Sequence, residues 1–291
     1  PEDILKNYGA DILRVWVASS DYAEDLRIDK SILTQHAESY RKIRNTFRFM
    51  LGNLQDNFVK QDFNELETDE LEELEQFILH RLYEINDSYL RNLENYNLHK
   101  LYKDLLNFCT LDLSSFYFDI RKDVLYCDSL SSKKRANCVK VLNIILESLL
   151  KWFAPILVFT TEEIFTLVSK EGGSIHESLF VKFPNNWKNQ NLSKKWTELF
   201  KIKQEANIAI EEKRANKVIG SSLEAEIKIN CKKEKFNLLD NLDLAEYFIT
   251  SKAEKVLSDK ENIEVKKADG KKCERCWKIL KKKCGRTSCP I

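Results

Sequence analysis

Apolar side chains recur at spacings of three and four along most of the first 170 residues, which is the periodicity of helices that bury one face. The pattern is clearest in four stretches, 34–55, 70–94, 98–119 and 133–153. Thr160 or Thr161 is expected to cap a short fifth helix that continues through Leu167, whereas ADILRVWVASS at 10–20 fits either a helix or a strand. The pattern therefore predicts a bundle of about five helices over residues 35–170.

The periodicity changes after residue 170. Gly172–Gly173 interrupts the helical pattern, and the stretch 174–195, rich in Asn, Lys and Ser, is typical of an exposed connector. A helix is expected at about 195–218. Three later stretches read as strands, and they are 221–230, 246–251 and 262–268. This part of the chain is therefore predicted to form a small α+β unit.

Composition agrees with a largely helical protein, because the 291 residues contain only 7 glycines and 4 prolines. No apolar stretch reaches the roughly 18 residues that a membrane span needs, and the first residues do not resemble a signal peptide. Four scattered cysteines are expected to be small buried hydrophobic residues in a reducing compartment, the cytoplasm: Cys109, Cys127, Cys138 and Cys231. The chain starts PEDILKNYG, without an initiator methionine, and we interpret it as the rear part of a longer protein.

The other four cysteines lie close together in the final stretch KKCERCWKILKKKCGRTSCPI. Cys273 and Cys276 form a C-x-x-C pair, and Cys284 and Cys289 form a C-x4-C pair. Two such pairs can present four thiolates to one zinc ion, which would be structural because no coordination position is left for water. A disulfide or free thiols are the alternatives. A C-x-x-C redox motif would need a βαβ context, which the flanking sequence does not show.

Positive charge is concentrated in the same segment. The formal net charge is +1, but residues 271–291 contain eight Lys or Arg and one acid, Glu274, so this segment carries +7 and the remaining residues −6. Cations on a segment that is folded around a metal ion would attract phosphate backbones with little sequence selectivity. A solvated tail is the alternative. Arg41, Arg44 and Arg48 follow at spacings of three and four and predict a second positive stripe, with a solvated helix face as the alternative.

Five stretches resemble the bacterial isoleucyl-tRNA synthetase family, in the order in which that family has them. They are PEDILKNYGADILRVWVASSDYAEDLRIDKSIL (1–33), YRKIRNTFRFMLGNL (40–54), KWFAPILVFTTEEIF (151–165), KVIGSSLEAEI (217–227) and CERCW (273–277). The third is shared more widely with the valyl, leucyl and methionyl relatives. The second cysteine pair departs from the family, which usually has C-x-x-C after a longer loop, and the departure bears most on Cys289.

The resemblance implies a mainly α protein, in which an anticodon-binding helical bundle is followed by a small α+β domain and a C-terminal zinc knuckle. The implied domains are the end of the class I catalytic core (1–35), the bundle (36–170), a connector (171–195), the α+β domain (196–268) and the zinc-binding tail (270–291). The implied partner is tRNA(Ile), bound by a monomer with one structural zinc ion. The residues expected to contact this tRNA are Arg41, Arg44, Arg48, Arg214, Lys217, Trp277, Lys281, Lys282, Lys283 and Arg286. For Trp277, packing across the zinc knuckle is the first expectation, and stacking on a nucleotide is the alternative.

The catalytic motifs of the family are absent from these 291 residues. Met50 is the only methionine, and none of the four histidines is followed by Ile-Gly, so neither KMSKS nor HIGH is present. We therefore expect this chain to bind tRNA, and the activation of isoleucine with ATP and Mg²⁺ to take place in an upstream domain. The alternatives are the same region of a valyl- or methionyl-type ligase, or a non-catalytic scaffold with a zinc-ribbon nucleic-acid module.

Overall fold

A computed structural model of the protein describes residues 2–26, 28–54, 58–59, 62–169, 172–282 and 284–286. The helices are α1 (Glu2–Tyr8), α2 (Ala10–Ser19), α3 (Lys30–Leu54), α4 (Glu73–Glu94), α5 (Leu98–Asn107), α6 (Phe118–Cys127), α7 (Lys133–Phe153), α8 (Val158–Val168), α9 (Gln190–Ala215), α10 (Lys233–Leu238) and α11 (Leu244–Tyr247). The strands are β1 (Ala225–Cys231), β2 (Lys252–Leu257), β3 (Asn262–Lys267), β4 (Lys271–Lys272) and β5 (Ile279–Leu280). The predicted fold class, mainly helical with a small sheet region and a C-terminal cysteine cluster, is confirmed. None of the described helices has both the length and the apolar character that crossing a bilayer requires.

The chain divides into two compact units. The first, here called the helical unit, comprises Pro1–Tyr117 and Asn137–Lys188; the second, the C-terminal unit, comprises Phe118–Ala136 and Asn189–Ile291. The predicted bundle boundaries differ from this division, because Phe118–Ala136 lies within residues 36–170 yet belongs to the C-terminal unit. Sequence periodicity identifies helices but not the unit in which each helix finds its partners.

The helical unit contains the long helices that the apolar spacing predicts. Ile43, Phe47 and Met50 are fully buried on one side of α3, which extends from Lys30 rather than from residue 34. The predictions over 70–94 and 133–153 are likewise confirmed by α4 and α7. The ambiguous stretch 10–20 is the helix α2, whose buried residues recur at helical spacing.

The helix predicted over 98–119 is only partly α-helical. After α5, residues Phe108–Tyr117 form a ten-residue π-helix, and α6 begins at Phe118. The hydroxyl of Ser114 donates to the carbonyl of Cys109 at 2.8 Å, five residues earlier along this wider turn. Thr46 of α3 donates to the same carbonyl at 3.4 Å. π-helical turns are rare, and an apolar period of 3.6 residues gives no indication of one.

The N-terminus of α8 is capped by a distant residue. Leu157 occupies the cap position and has no side-chain cap hydrogen bond, so the predicted capping role of Thr160 or Thr161 is wrong. Asp11 of α2 instead accepts hydrogen bonds from the backbone N–H groups of Phe159 (3.3 Å) and Thr160 (2.8 Å) and from the Thr160 hydroxyl (2.6 Å). A buried carboxylate therefore satisfies the free N–H groups of α8, where the helix dipole favours negative charge.

The predicted connector is less exposed than its composition indicates. Within the helical unit it contains two short 3-10 turns, Ile175–Glu177 and Asn185–Trp187. Ile175, Val181 and Trp187 are buried, and the Trp187 ring stacks on Phe183 with centroids 4.9 Å apart. Isolated apolar residues in this polar segment therefore fix it to the helical core.

The C-terminal unit contains the predicted α+β element. Strand β1 is central, pairing in parallel with β2 and antiparallel with β3, and α9 carries buried Trp196, Leu199 and Ala206 on one face. The strands predicted at 221–230 and 262–268 are confirmed by β1 and β3.

The strand predicted at 246–251 is wrong. Leu244–Tyr247 is a short helix whose N-terminus is capped by Asp243, which accepts from the Glu246 N–H at 3.0 Å. Strand β2 begins only at Lys252. Glu246 is buried because its carboxylate pairs with Arg121 at 2.9 Å and also with Lys134. Three apolar residues in a row at 247–249 do not distinguish a buried helical turn from a strand.

Candidate metal centre and nucleic-acid interface

Three of the four predicted zinc ligands converge in the C-terminal unit. The sulfur atoms of Cys273, Cys276 and Cys284 all lie within 4.8 Å of one another, and all three side chains are buried. Cys276 Sγ lies 3.9 Å from Cys284 Sγ. Zinc–sulfur bonds of about 2.3 Å in a tetrahedron place neighbouring sulfurs about 3.8 Å apart, so this donor set fits a zinc ion. Cys289, the fourth predicted ligand, lies outside the described residues.

The short hairpin of β4 and β5 positions the first pair of cysteines. Lys271 pairs with Leu280 and Lys272 with Ile279, and between the strands the Trp277 N–H donates to the Cys273 carbonyl at 2.9 Å. The Cys273 N–H in turn donates to the Lys278 carbonyl, also at 2.9 Å. This turn directs the two sulfurs of the C-x-x-C pair to the same side, as in a zinc knuckle.

Burial keeps the Cys276 thiol protonated when no metal is bound. Desolvation, together with the neighbouring Cys273 and Cys284, raises the pKa of Cys276 to about 11. Zinc coordinates the thiolate rather than the thiol, so binding releases protons and couples metal affinity to pH. The buried donor set therefore suits a structural metal site better than a reactive cysteine, which needs a lowered pKa and access to solvent.

Several of the basic side chains around this cluster already have partners inside the protein. Lys281 lies 3.0 Å from Asp269, with both side chains largely exposed. Arg286 is more constrained, because it lies 3.4 Å from Asp123 and 3.3 Å from Asp128. Lys282 is exposed and forms no ion pair with the described residues, whereas Lys283 lies outside them. The described cations of this segment thus include exposed side chains and one cation, Arg286, that is held by two carboxylates.

The expectation that Trp277 packs across the knuckle is wrong. Its side chain is 60% exposed, and its backbone adopts the left-handed conformation with φ of 62°. The tight turn after the C-x-x-C pair imposes this conformation, which is uncommon for a large residue. The indole ring therefore faces solvent at the edge of the metal cluster, where an aromatic face is accessible to a ligand.

The predicted arginine stripe lies on the solvent face of α3. Arg41, Arg44 and Arg48 are all exposed, whereas the neighbouring Ile43 and Phe47 are buried. Arg44 donates to the Tyr40 hydroxyl at 3.3 Å and lies 3.8 Å from the Glu163 carboxylate. Within the described chain, Arg41 and Arg48 have no ion pair. The stripe is therefore a cationic surface in which, among the described residues, only the central Arg44 has an acidic partner.

Arg214 and Lys217 lie together at the end of α9 in the C-terminal unit. They line an open cavity of about 460 Å³ with Gly220, Glu224 and Lys267. Arg214 pairs with Glu211 at 2.7 Å, and Lys217 adopts a left-handed conformation with φ of 56° as the chain leaves the helix.

Two side chains that sequence reasoning did not select connect the family-like stretches 1–33 and 151–165. Asp11 caps α8, as described above, and Arg14 donates to the backbone carbonyls of Ile156 (3.0 Å) and Pro155 (2.7 Å). Both lie in ADILRVW, and a charged residue at a buried helical position was the signal available for Asp11. Their roles are structural, because Asp11 satisfies backbone N–H groups in the first turn of α8 and Arg14 satisfies backbone carbonyls of the turn that separates α7 from α8.

Comparison with known proteins agrees with this architecture. A family model described as the anticodon-binding domain of tRNA ligase matches residues 75–229. The chain is similar to an isoleucine–tRNA ligase of Pelagibacter ubique, with 60% identity over 290 residues that cover 99% of this chain and 32% of the relative. It is also similar to the isoleucine–tRNA ligases of Gluconobacter oxydans (39% identity, 96% of this chain, 29% of the relative) and Bartonella henselae (40%, 96% and 30%).

These matches confirm the resemblance seen in the sequence, and they show how much of the relatives it covers. The chain spans about a third of the length of the curated relatives that it matches. The match to the anticodon-binding domain covers more than half of the chain and includes helices of both compact units. The chain therefore belongs to the family of tRNA ligases that share this anticodon-binding domain.

Proposed function

We propose that this chain is the tRNA-binding part of an isoleucine–tRNA ligase, which activates isoleucine with ATP and Mg²⁺ and transfers it to tRNA(Ile) in the cytoplasm. The observation that carries the proposal is the high identity to isoleucine–tRNA ligases along nearly the whole chain. Because HIGH and KMSKS are absent from the sequence, activation is assigned to a different part of the protein. The chain itself binds as a monomer.

The arginine stripe supports a direct role in binding. Arg41 and Arg48 are exposed, form no ion pair with the described residues, and lie on a rigid helix fixed by a buried face. Guanidinium groups can contact phosphates or stack on the splayed bases of a single-stranded loop. Arg44, held by Tyr40 and Glu163, would have to exchange these partners for the RNA. We therefore place the main contacts of the stripe at its two ends.

The C-terminal unit is proposed to add a second binding surface. One zinc ion, held by the buried cysteines, would keep the segment after Lys271 folded, because so short a segment cannot bury a core of its own. The exposed Lys282 and the exposed ring of Trp277 would then face the RNA together. Arg214, Lys217, Lys281, Lys283 and Arg286 remain proposed contacts, of which Arg286 would have to leave two carboxylates.

The test is binding of the purified chain to tRNA(Ile), measured at several salt concentrations. Replacing both Arg41 and Arg48 with Ala is expected to weaken binding by about 1–3 kcal/mol and to reduce the salt dependence. The matched control is Arg91→Ala, which removes an exposed arginine of α4 that pairs with Asp87. Equal affinity of the double variant and the control would remove the stripe from the proposal.

Two further measurements separate the remaining alternatives. A valyl- or methionyl-type ligase predicts tighter binding of the corresponding pure tRNA than of tRNA(Ile). The purified chain should show no isoleucine-dependent exchange between ATP and pyrophosphate, and measurable exchange would contradict the assignment of activation to another part of the protein. A scaffold without ligase function predicts no preference among tRNAs.

A further inference from the structure

A fifth cysteine lies against the metal cluster. Cys127, the last residue of α6, forms one buried cluster with Cys273, Cys276 and Cys284, and only 2% of its surface is exposed. It is about 150 residues distant in sequence, so no ligand spacing indicates it. Among the described cysteines, the other three, Cys109, Cys138 and Cys231, are buried away from this cluster.

The knuckle is anchored to the same end of α6 on both sides of Cys127. Arg275 donates to the Tyr126 carbonyl at 3.4 Å. Arg286 lies 3.4 Å from Asp123 Oδ2 and 3.3 Å from Asp128 Oδ1, and these two carboxylates flank Cys127 in the sequence. The position of Cys127 beside the three sulfurs is therefore fixed by charged contacts and does not depend on apolar packing alone.

We propose that Cys127 supplies the fourth thiolate of the metal site, with Cys273, Cys276 and Cys284, and that Cys289 is not a ligand. The proposal rests on the zinc ion of the proposed function. With this ligand set the C-terminal knuckle is not a self-contained motif, because the metal links it to α6.

This ligand set requires the Cys127 side chain to move towards the other three cysteines. The sulfur of Cys127 is not among the three that lie within 4.8 Å of one another, so it has to approach them when the metal binds. Rotation of a cysteine between staggered χ1 rotamers moves the sulfur by roughly 3 Å.

Electrostatics favours thiolate ligands at this point, because the Arg286 cation lies near two of the proposed ligands. Zinc with four thiolates has a net charge of −2, and the Arg286 guanidinium, which interacts with both Cys127 and Cys276, offsets part of it. Binding displaces the four thiol protons to solvent.

The experiment is titration of the chain with cobalt(II) in place of zinc, under reducing conditions. The sulfur-to-cobalt charge-transfer absorption scales with the number of thiolates, and the visible bands report tetrahedral geometry. We compare Cys127→Ala, Cys289→Ala and the control Cys231→Ala, which removes a buried thiol of β1 in the same unit. Circular dichroism of each variant shows that it is folded.

The proposal expects Cys127→Ala to lose about a quarter of the charge-transfer intensity, one of four thiolates, and to bind the metal at least tenfold more weakly. Cys289→Ala and Cys231→Ala should match the unchanged chain. Cys127→His should recover tight binding with one sulfur fewer, since imidazole is also a zinc ligand.

The opposite pattern, with loss in Cys289→Ala and none in Cys127→Ala, overturns the proposal, and so does full intensity in both variants. If Cys127→Ala is unfolded, metal binding by Cys127→His still tests the proposal. A folded Cys127→His variant that does not bind cobalt counts against the proposal. Absence of cobalt binding by the unchanged chain would refute the metal site as a whole, whereas tRNA binding is tested separately.

Discussion

The cap that Asp11 provides to α8 makes a stability prediction whose size follows from its hydrogen bonds. Asp11→Ala removes the acceptor of three hydrogen bonds, from the N–H groups of Phe159 and Thr160 and from the Thr160 hydroxyl. An ordinary helix cap contributes about 1 kcal/mol, and a hydrogen bond to a charged group contributes about 1.5–3 kcal/mol.

These contributions do not simply add. The Phe159 side chain is 65% exposed, so water can replace the carboxylate at that end, and the Thr160 hydroxyl keeps the Tyr40 hydroxyl as a neighbour at 2.9 Å. The Thr160 N–H, which is buried, has no such replacement. We therefore expect Asp11→Ala to lower the free energy of unfolding of the helical unit by about 3 kcal/mol, and Asp11→Asn, which keeps one acceptor oxygen, by about half as much.

The assay is urea unfolding followed by circular dichroism, together with amide hydrogen exchange in α8. The control is Asp21→Ala, because Asp21 is exposed and accepts one local hydrogen bond from the Ala23 N–H at 3.0 Å; its effect should stay within about 0.5 kcal/mol. The reasoning is refuted if Asp11→Ala and the control unfold at the same urea concentration. Unchanged exchange protection in the first turn of α8 would refute the cap specifically.

Two further predictions concern a carboxylate and a glycine. His80, whose Nε2 lies 3.4 Å from Glu84 Oε1, together with Arg81, lowers the pKa of Glu84 from 4.5 to about 2. The stabilising contribution of Glu84 is therefore present above pH 4.5 and is lost as the pH falls towards 2. Unfolding of the Glu84→Gln variant should depend less on pH in this interval, and an unchanged pH profile contradicts the pairing. Gly270 has φ of +139°, and a Cβ there would lie 2.3 Å from the Leu280 carbonyl oxygen, so Gly270→Ala should separate β4 from β5 and weaken cobalt binding. The control Gly52→Ala, in open space on α3, should leave stability unchanged or raise it. Full metal affinity in Gly270→Ala would show that the hairpin tolerates the side chain.

The long helices and three of the proposed ligands could be predicted from the sequence, because each depends on information within one segment. Apolar spacing states which face of α3, α4 or α7 is buried, whatever that face packs against. The spacing of Cys273 and Cys276 likewise defines a knuckle before the rest of the chain is considered. The resemblance to isoleucyl-tRNA synthetases rests on such local stretches, and the comparisons confirm it.

Only the tertiary structure decided the pairings between distant segments. The short helix at Leu244–Tyr247 replaces a predicted strand because Arg121, some 120 residues earlier, pairs with the buried Glu246. Asp11 replaces a local cap, and Arg286, expected from the sequence to contact tRNA, is held by Asp123 and Asp128. A local pattern fixes the face that a segment buries, but the partner for a buried charge or thiol depends on which segments the fold brings together, and no spacing within one segment encodes that choice.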